Sequence, residues 1–241
     1  MAVTLPGGRA AVFLDKDGTL VDDLPYNVEV HRIRFAPGAV EAVRRLSRAG
    51  YRLVVATNQS GIARGYFGEA DLRAVERHIA AELERLGVAL AGFYFCPHLP
   101  RGTAAAYAVV CDCRKPAPGL LVRAAAELGV DLARSWFVGD TWMDVACGRA
   151  AGCRTVLVGP EWRLAGTLPP ARRPDYAVPD LAAAARAILV ADGRIDSSGR
   201  VGDVATPGTV DRRALRDGPI AGRPRPLPGE PETVPPPEVV G

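Results

Sequence analysis

The chain has 241 residues and a mass of 25.5 kDa, enough for one ample domain or a domain with a tail; its 48% hydrophobic and 24% charged residues are ordinary for a soluble globular protein. No run approaches the roughly 18 consecutive apolar residues of a membrane span, and a formal net charge of +3 is too small and too scattered to mark a nucleic-acid surface. The N-terminal stretch reaches Asp15 before a long apolar region develops and shows no small-residue cleavage site, so no export signal is expected and a cytoplasmic location is.

Short apolar strands and amphipathic helices then alternate. Residues 11–14 (AVFL) form a predicted strand. Residues 37–49 carry Val40, Val43 and Leu46 at helical spacing, stopped by Gly50. Residues 52–56 (RLVVA) are the second strand. Residues 69–86 are the strongest helix, with Leu72, Val75, Ile79, Leu83 and Leu86 on one stripe and Gly87 at its end. Strands at 92–95, 135–138 and 155–158 follow, with helices at 118–128 and 142–151 between them. A short strand at 176–178 and an Ala-rich helix at 180–190 close the body. This alternation predicts an α/β fold: a Rossmann-like doubly wound parallel sheet covered by helices on both faces. Residues 1–194 make one domain. Residues 195–241 hold 9 Pro and 7 Gly in 47 positions and no aromatic residue, so they are expected to be a disordered tail that buries too little apolar surface to offset its ordering entropy.

In such a sheet, ligands bind beyond the carboxyl ends of the strands, so the residues after each strand carry the functional information. They are Asp15-Lys16-Asp17-Gly18-Thr19, Thr57-Asn58-Gln59-Ser60-Gly61, Cys96-Pro97-His98 and Gly139-Asp140. All four loops are polar and should share one rim. Asp15 and Asp17 are two apart, which places both carboxylates on one side of the chain and turns Lys16 to the other, with no catalytic role. Two close carboxylates repel, a divalent cation relieves the repulsion, and Asp140 could add a third oxygen ligand. Such a hard, oxygen-rich site suits Mg²⁺. For the first loop taken alone, a strand-end Asx turn is the alternative.

The five cysteines are an odd number in a chain expected to carry no export signal, which argues against a disulfide framework. Cys96-x-His98 and Cys111-x-Cys113 make a four-ligand N/S set of the kind that closes a structural tetrahedral Zn²⁺ site. Buried free thiols beside a satisfied histidine are the alternative. Zinc would pin residues 99–110 and present Arg114 and Lys115 to the rim. Cys147 and Cys153 read as buried small residues, His31 and His78 as surface or helix-face residues. Lys16 and Lys115 are the only lysines beside 28 arginines, so each marks a position where a compact point charge is wanted.

The segments AVFLDKDGTLVDD, LVVATNQSGIARG, DCRKPAPG and WFVGDTWMD resemble, in order, the four motifs of the haloacid dehalogenase-like phosphohydrolases. TNQSGIARG with CPHL…CDCRKP more narrowly resembles the D-glycero-D-manno-heptose 1,7-bisphosphate 7-phosphatase family and its sister, the histidinol-phosphate phosphatases. The resemblance implies a phosphomonoester hydrolase with a minimal cap. Asp15 would be the nucleophile that forms an aspartyl-phosphate, and Asp17 the general acid and base. Asp15, the main-chain carbonyl of Asp17, and Asp140 would hold Mg²⁺. Thr57 and Lys115 would stabilise the phosphoryl group. Asn58, Gln59, Ser60, Arg64 and Arg114 would contact a small phosphorylated sugar. Asp144 would either orient the metal shell through water or favour a helix N-terminus. The 12 residues between His98 and Cys111 favour the heptose over the histidinol branch. Two positions depart from the family pattern, the stretch 22–27 and Thr141, where members often place lysine. A monomer with no nucleic-acid or membrane partner is expected. The competing readings are a histidinol-phosphate or other sugar phosphatase, a phosphatase of nucleic-acid 3′ ends, and, from another class, a zinc-stabilised binding protein on an inactive scaffold.

Overall fold

The computed structural model describes residues 8–195, apart from the side chains of Glu161 and Ala171. The expected tail lies, from residue 196 on, outside the described residues. Six parallel strands form one sheet: β1 (Ala11–Leu14), β2 (Arg52–Asn58), β3 (Leu90–Cys96), β4 (Trp136–Gly139), β5 (Arg154–Leu157) and β6 (Tyr176–Ala177), in the spatial order β3-β2-β1-β4-β5-β6. Four helices connect the first five strands, α1 (Ala39–Arg48), α2 (Glu69–Arg85), α3 (Gly119–Leu128) and α4 (Trp142–Ala151), and α5 (Leu181–Ala191) follows β6.

β1 and β4 are apolar at every position, and β2 from Leu53 to Ala56, because both sheet faces are covered. Val12, Leu14, Leu53, Val55, Trp136 and Val138 point to one face, where they pack on α1, α2 and α5. Ala11, Phe13, Val54, Ala56 and Phe137 point to the other, against α3 and α4. The helical stripe expected on α2 is the buried one: Leu72, Val75, Ile79 and Leu83 are all shielded. Each such side chain contributes about 1.5–3 kcal/mol by leaving water, so a charged replacement at Ile79 would unseat the helix. Among the described residues no helix is long and apolar enough to cross a membrane.

The expected elements all occur, with ends displaced by one or two residues. Three-residue 3₁₀ turns at Val30–Arg32, Ala105–Tyr107, Leu132–Arg134 and Pro170–Arg172, and a longer one at Pro160–Thr167, join the elements expected from the sequence. They are too short or too irregular to show a 3.6-residue period. No inserted cap domain occurs among the described residues: only the turn Val30–Arg32 lies between β1 and α1, and β2 leads to α2 through residues 59–68. The topology has one consequence for ligands. The chain leaves β1 toward β2 on one side and enters β4 on the other. A crevice therefore opens at the carboxyl ends of β1 and β4, the switch point of a doubly wound sheet.

Candidate active site

Asp15 continues β1, its backbone N–H donating to the Val138 carbonyl of β4 at 2.9 Å. This places its carboxylate directly at the switch point. The backbone then turns sharply, with the N–H groups of Leu20 and Val21 both donating to the Lys16 carbonyl, at 3.0 and 2.9 Å. Gly18 makes the turn possible. Its φ is +74°, and a Cβ there would lie 2.3 Å from Asp140 Oδ2, so only glycine lets the first loop close on the fourth.

Asp15, Asp140 and Asp144 each present an oxygen within 4.8 Å of the others. Asp15 and Asp144 are buried and Asp140 half-buried. Burial is the largest influence on Asp15 and Asp140, followed for Asp140 by the charges of Asp15 and Asp144; it pushes Asp140 up to about 8 and Asp15 to about 6, the latter despite the opposing Lys115 ammonium. Buried carboxylates that favour their proton this strongly fit a site completed by a divalent cation. The donor set is all oxygen, which suits Mg²⁺. The Asp17 carboxylate does not join this cluster.

Lys115 is 3% exposed, and its ammonium lies 2.9 Å from Asp15 Oδ1 and 2.5 Å from Asp144 Oδ1. It also donates to the Ala56 carbonyl at 3.3 Å. Burial opposes its charge, yet the two carboxylates outweigh burial and hold it protonated well above the ordinary lysine range. The sequence places Asp144 either at a metal shell or at a helix start. It begins α4 by accepting from the Thr141 N–H at 3.0 Å and hydroxyl at 2.6 Å, and its other oxygen holds Lys115. The spacing Thr141-x-x-Asp144 signals the cap; nothing local signals the ion pair to a residue 29 positions earlier. Thr141, the position that departs from the family pattern, thus serves the helix cap.

Lys16 departs from expectation. Alternation in an extended strand turns it away from its neighbours, but the tight turn after Asp15 breaks the alternation. Its side chain is 1% exposed and its ammonium lies 2.5 Å from Asp17 Oδ1. Gln59 Nε2 donates to Asp17 Oδ2 at 2.9 Å and to Thr57 Oγ1 at 3.0 Å. The Asn58 side chain is engaged by the backbone of Lys115, accepting from its N–H at 3.0 Å and donating to its carbonyl at 3.2 Å. Gln59 therefore braces Asp17 and Thr57, and Asn58 braces the backbone of Lys115. The Ser60 carbonyl accepts from Arg64 N–H at 3.0 Å, forming the turn after β2. The exposed Arg64 lies 5.9 Å from the Tyr26 ring, which meets Tyr66 edge-on at 4.8 Å. Arg114 donates to the His98 carbonyl at 3.3 Å.

The second cluster lies beside the first. Cys96 Sγ to Cys111 Sγ is 3.6 Å, Cys111 Sγ to Cys113 Sγ 3.3 Å, Cys96 Sγ to His98 Nδ1 3.7 Å, and His98 Nδ1 to Cys113 Sγ 3.3 Å. A tetrahedron with Zn–S of about 2.3 Å and Zn–N of about 2.0 Å has edges of roughly 3.5–3.8 Å. The four donors fit zinc after small adjustments. Cys147 and Cys153 are buried elsewhere and free. The intervening loop packs on the turn after β2, with Ala104 N–H donating to the Ala63 carbonyl and Thr103 Oγ1 to the Arg64 carbonyl, both at 2.9 Å. Only Arg114 thus separates the cluster's Cys113 from Lys115, and the loop is tied to Ala63 and to Arg64 by one hydrogen bond each.

A HAD-hydrolase-like family model matches residues 112–184. The D-glycero-beta-D-manno-heptose-1,7-bisphosphate 7-phosphatase of Salmonella typhi is 43% identical over 158 residues, 66% of this chain and 82% of that protein. The enzyme of the same name from Pasteurella multocida is 44% identical over 151 residues, 62% of this chain and 82% of that protein. Among solved structures, the D,D-heptose 1,7-bisphosphate phosphatase of B. bronchiseptica, complexed with magnesium and phosphate, superposes with a TM-score of 0.63 at 34% identity, covering 75% of this chain and 98% of that one. With the switch-point carboxylates, the buried lysine and the four-ligand cluster in place, the chain belongs to the haloacid dehalogenase-like phosphohydrolases, in the family of the heptose-1,7-bisphosphate 7-phosphatases.

Proposed function

We propose that the chain hydrolyses the 7-phosphate of D-glycero-D-manno-heptose 1,7-bisphosphate in a Mg²⁺-dependent reaction through an aspartyl-phosphate. The observation that carries this reading is the Asp15 carboxylate held at 2.9 Å by a buried ammonium, with the Asp140 and Asp144 oxygens within 4.8 Å. Asp15, the Asp17 carbonyl and Asp140 would hold the magnesium ion, which when bound polarises a phosphoryl oxygen and offsets developing charge. Lys115 orients Asp15 so that its free oxygen meets phosphorus in line. The Asp15 Oδ–P bond forms as the P–O7 ester bond breaks, and Asp17 gives its proton to the departing alkoxide. Asp17 then takes a proton from water as the water oxygen bonds to phosphorus, and the Asp15–P bond breaks to release inorganic phosphate. The Thr57 hydroxyl and neighbouring amides hold the equatorial oxygens.

Zinc on Cys96, His98, Cys111 and Cys113 is structural in this reading, because four protein ligands leave no open coordination position. Arg64, at the rim beside Tyr26 and Tyr66, suits the far phosphate, which an arginine can grip with two bonds. Phosphate release from heptose 1,7-bisphosphate, other sugar phosphates and histidinol phosphate, with and without Mg²⁺, tests the proposal. The heptose bisphosphate should give the highest kcat/KM, and Asp15→Asn should abolish turnover without unfolding the chain. Preference for histidinol phosphate would overturn the substrate, and turnover by Asp15→Asn would overturn the nucleophile.

A further inference from the structure

Lys16 is one of two lysines in the chain and is more deeply buried than the lysine that holds the nucleophile, at 1% against 3% exposed. Lysine is almost never fully buried unless paired, because an ammonium taken out of water is destabilised by several kcal/mol without a partner. Its partner here is Asp17 Oδ1 at 2.5 Å. The other oxygen of the same carboxylate accepts from Gln59 Nε2 at 2.9 Å. Gln59 is itself fixed: it is 6% exposed, its backbone N–H donates to the Cys96 carbonyl at 2.8 Å, and its amide also reaches Thr57 Oγ1 at 3.0 Å.

Two donors from two different loops therefore grip Asp17, one on each oxygen. A carboxylate on a free side chain swings about two bonds, whereas one held at both oxygens has a single orientation. We propose that Lys16 and Gln59 are positioning residues that fix the Asp17 carboxylate for the step in which it takes the proton from the water that hydrolyses the aspartyl-phosphate. The inference rests on the reading of Asp17 as general acid and base. It separates the two lysines by role: Lys115 sets the nucleophile, Lys16 sets the proton carrier. The link from Gln59 to Thr57 ties that orientation to the loop that holds the phosphoryl group.

General acid–base catalysis contributes about 10²–10⁴-fold, and a misplacement of about 1 Å can forfeit about 10²-fold. Lys16→Met and Gln59→Leu are therefore expected to lower kcat on a sugar phosphate by about 10–100-fold while KM stays within about threefold. The discriminating probe is p-nitrophenyl phosphate, whose leaving group departs without a proton. Both variants should release one burst equivalent of p-nitrophenolate per chain and then turn over about 10–100-fold more slowly than the parent, with the phosphorylated chain accumulating and visible by intact mass after acid quench, because hydrolysis of the aspartyl-phosphate still needs Asp17 as base. Lys16→Arg, which keeps the charge, should recover at least part of the loss. A general structural weakening would slow the burst and the steady state together and accumulate no phosphorylated chain; that pattern, or a kcat within about threefold of the parent in both variants, would overturn the inference. Asp17→Asn serves as the reference. If it is inactive while Lys16→Met and Gln59→Leu are not, only the positioning role fails; if it turns over normally, the underlying assignment of Asp17 fails.

Discussion

Replacing Lys115 with methionine tests the electrostatic centre of the site. The change keeps the length of the side chain and removes its charge. It strips the ammonium from Asp15 Oδ1 at 2.9 Å and from Asp144 Oδ1 at 2.5 Å, leaving two buried carboxylates facing each other. Removing one partner of a buried ion pair typically destabilises by about 3–5 kcal/mol, which in a domain of about this size corresponds to roughly 6–20 °C in Tm. A carboxylate can escape by taking up a proton, so the loss has a pH signature. Asp15 already favours its proton because of burial, with Lys115 as the main opposing influence; without Lys115 the folded chain holds that proton more tightly still. The folded form then loses stability as pH rises through the Asp15 range, so the deficit should be smaller at pH 5 than at pH 8. Adding Asp144→Asn should restore part of the stability, since one of the two stranded charges is gone, with a coupling of about 0.5–3 kcal/mol. It should restore no activity, because the nucleophile remains unoriented; the expected loss in kcat is about 10²–10³-fold, the scale of removing one transition-state donor. Urea unfolding of the metal-free single and double variants at both pH values, with phosphate release measured in parallel, supplies every quantity. A Lys115→Met variant within about 1 kcal/mol of the parent at pH 8 would refute the reasoning.

Magnesium should stabilise the chain more at pH 8.5 than at pH 6. Asp140 and Asp15 have raised values when folded, so between the ordinary carboxylate range and about 8 the metal-free fold holds protons that a cation must displace; a Mg²⁺-induced shift in Tm that is flat across this range would contradict the shared site. Gly18→Ala and Gly50→Ala both place a side chain at positive φ, +74° and +84°, but only the former meets an atom, Asp140 Oδ2 at 2.3 Å. Each should lose about 1–2 kcal/mol from backbone strain, whereas Gly18→Ala alone should weaken Mg²⁺ binding by titration calorimetry, and equal binding in the two would remove the case for Gly18 as the cradle of the site. Protein purified without chelator should contain one zinc per chain by elemental analysis, and Cys111→Ser should lower both zinc content and Tm; metal-free protein of unchanged Tm would show that the thiols hold the loop unaided.

Much of this protein is readable along the chain. Val12 and Leu14 against Ala11 and Phe13, the stripe Leu72-Val75-Ile79-Leu83, and Gly87 and Gly129 as helix stops are local patterns, because side-chain period and backbone permissiveness act over a few residues. From them follow the strand order of loops, the rim they share, and the candidates Asp15, Asp17, Asp140, Cys96, His98, Cys111 and Cys113. The pairing of charges is a different matter. That Asp144 belongs to Lys115, that Lys16 turns inward to Asp17, and that Gln59 and Asn58 brace Asp17 and the Lys115 backbone are decided by which loops meet in space. An ion pair across 29 positions leaves no periodic trace, and a single tight turn is enough to reverse the side a residue faces. The sequence by itself determined the layers and the family the chain belongs to; tertiary structure alone decided which buried charge answers which, because that depends on distances between elements that no local propensity encodes.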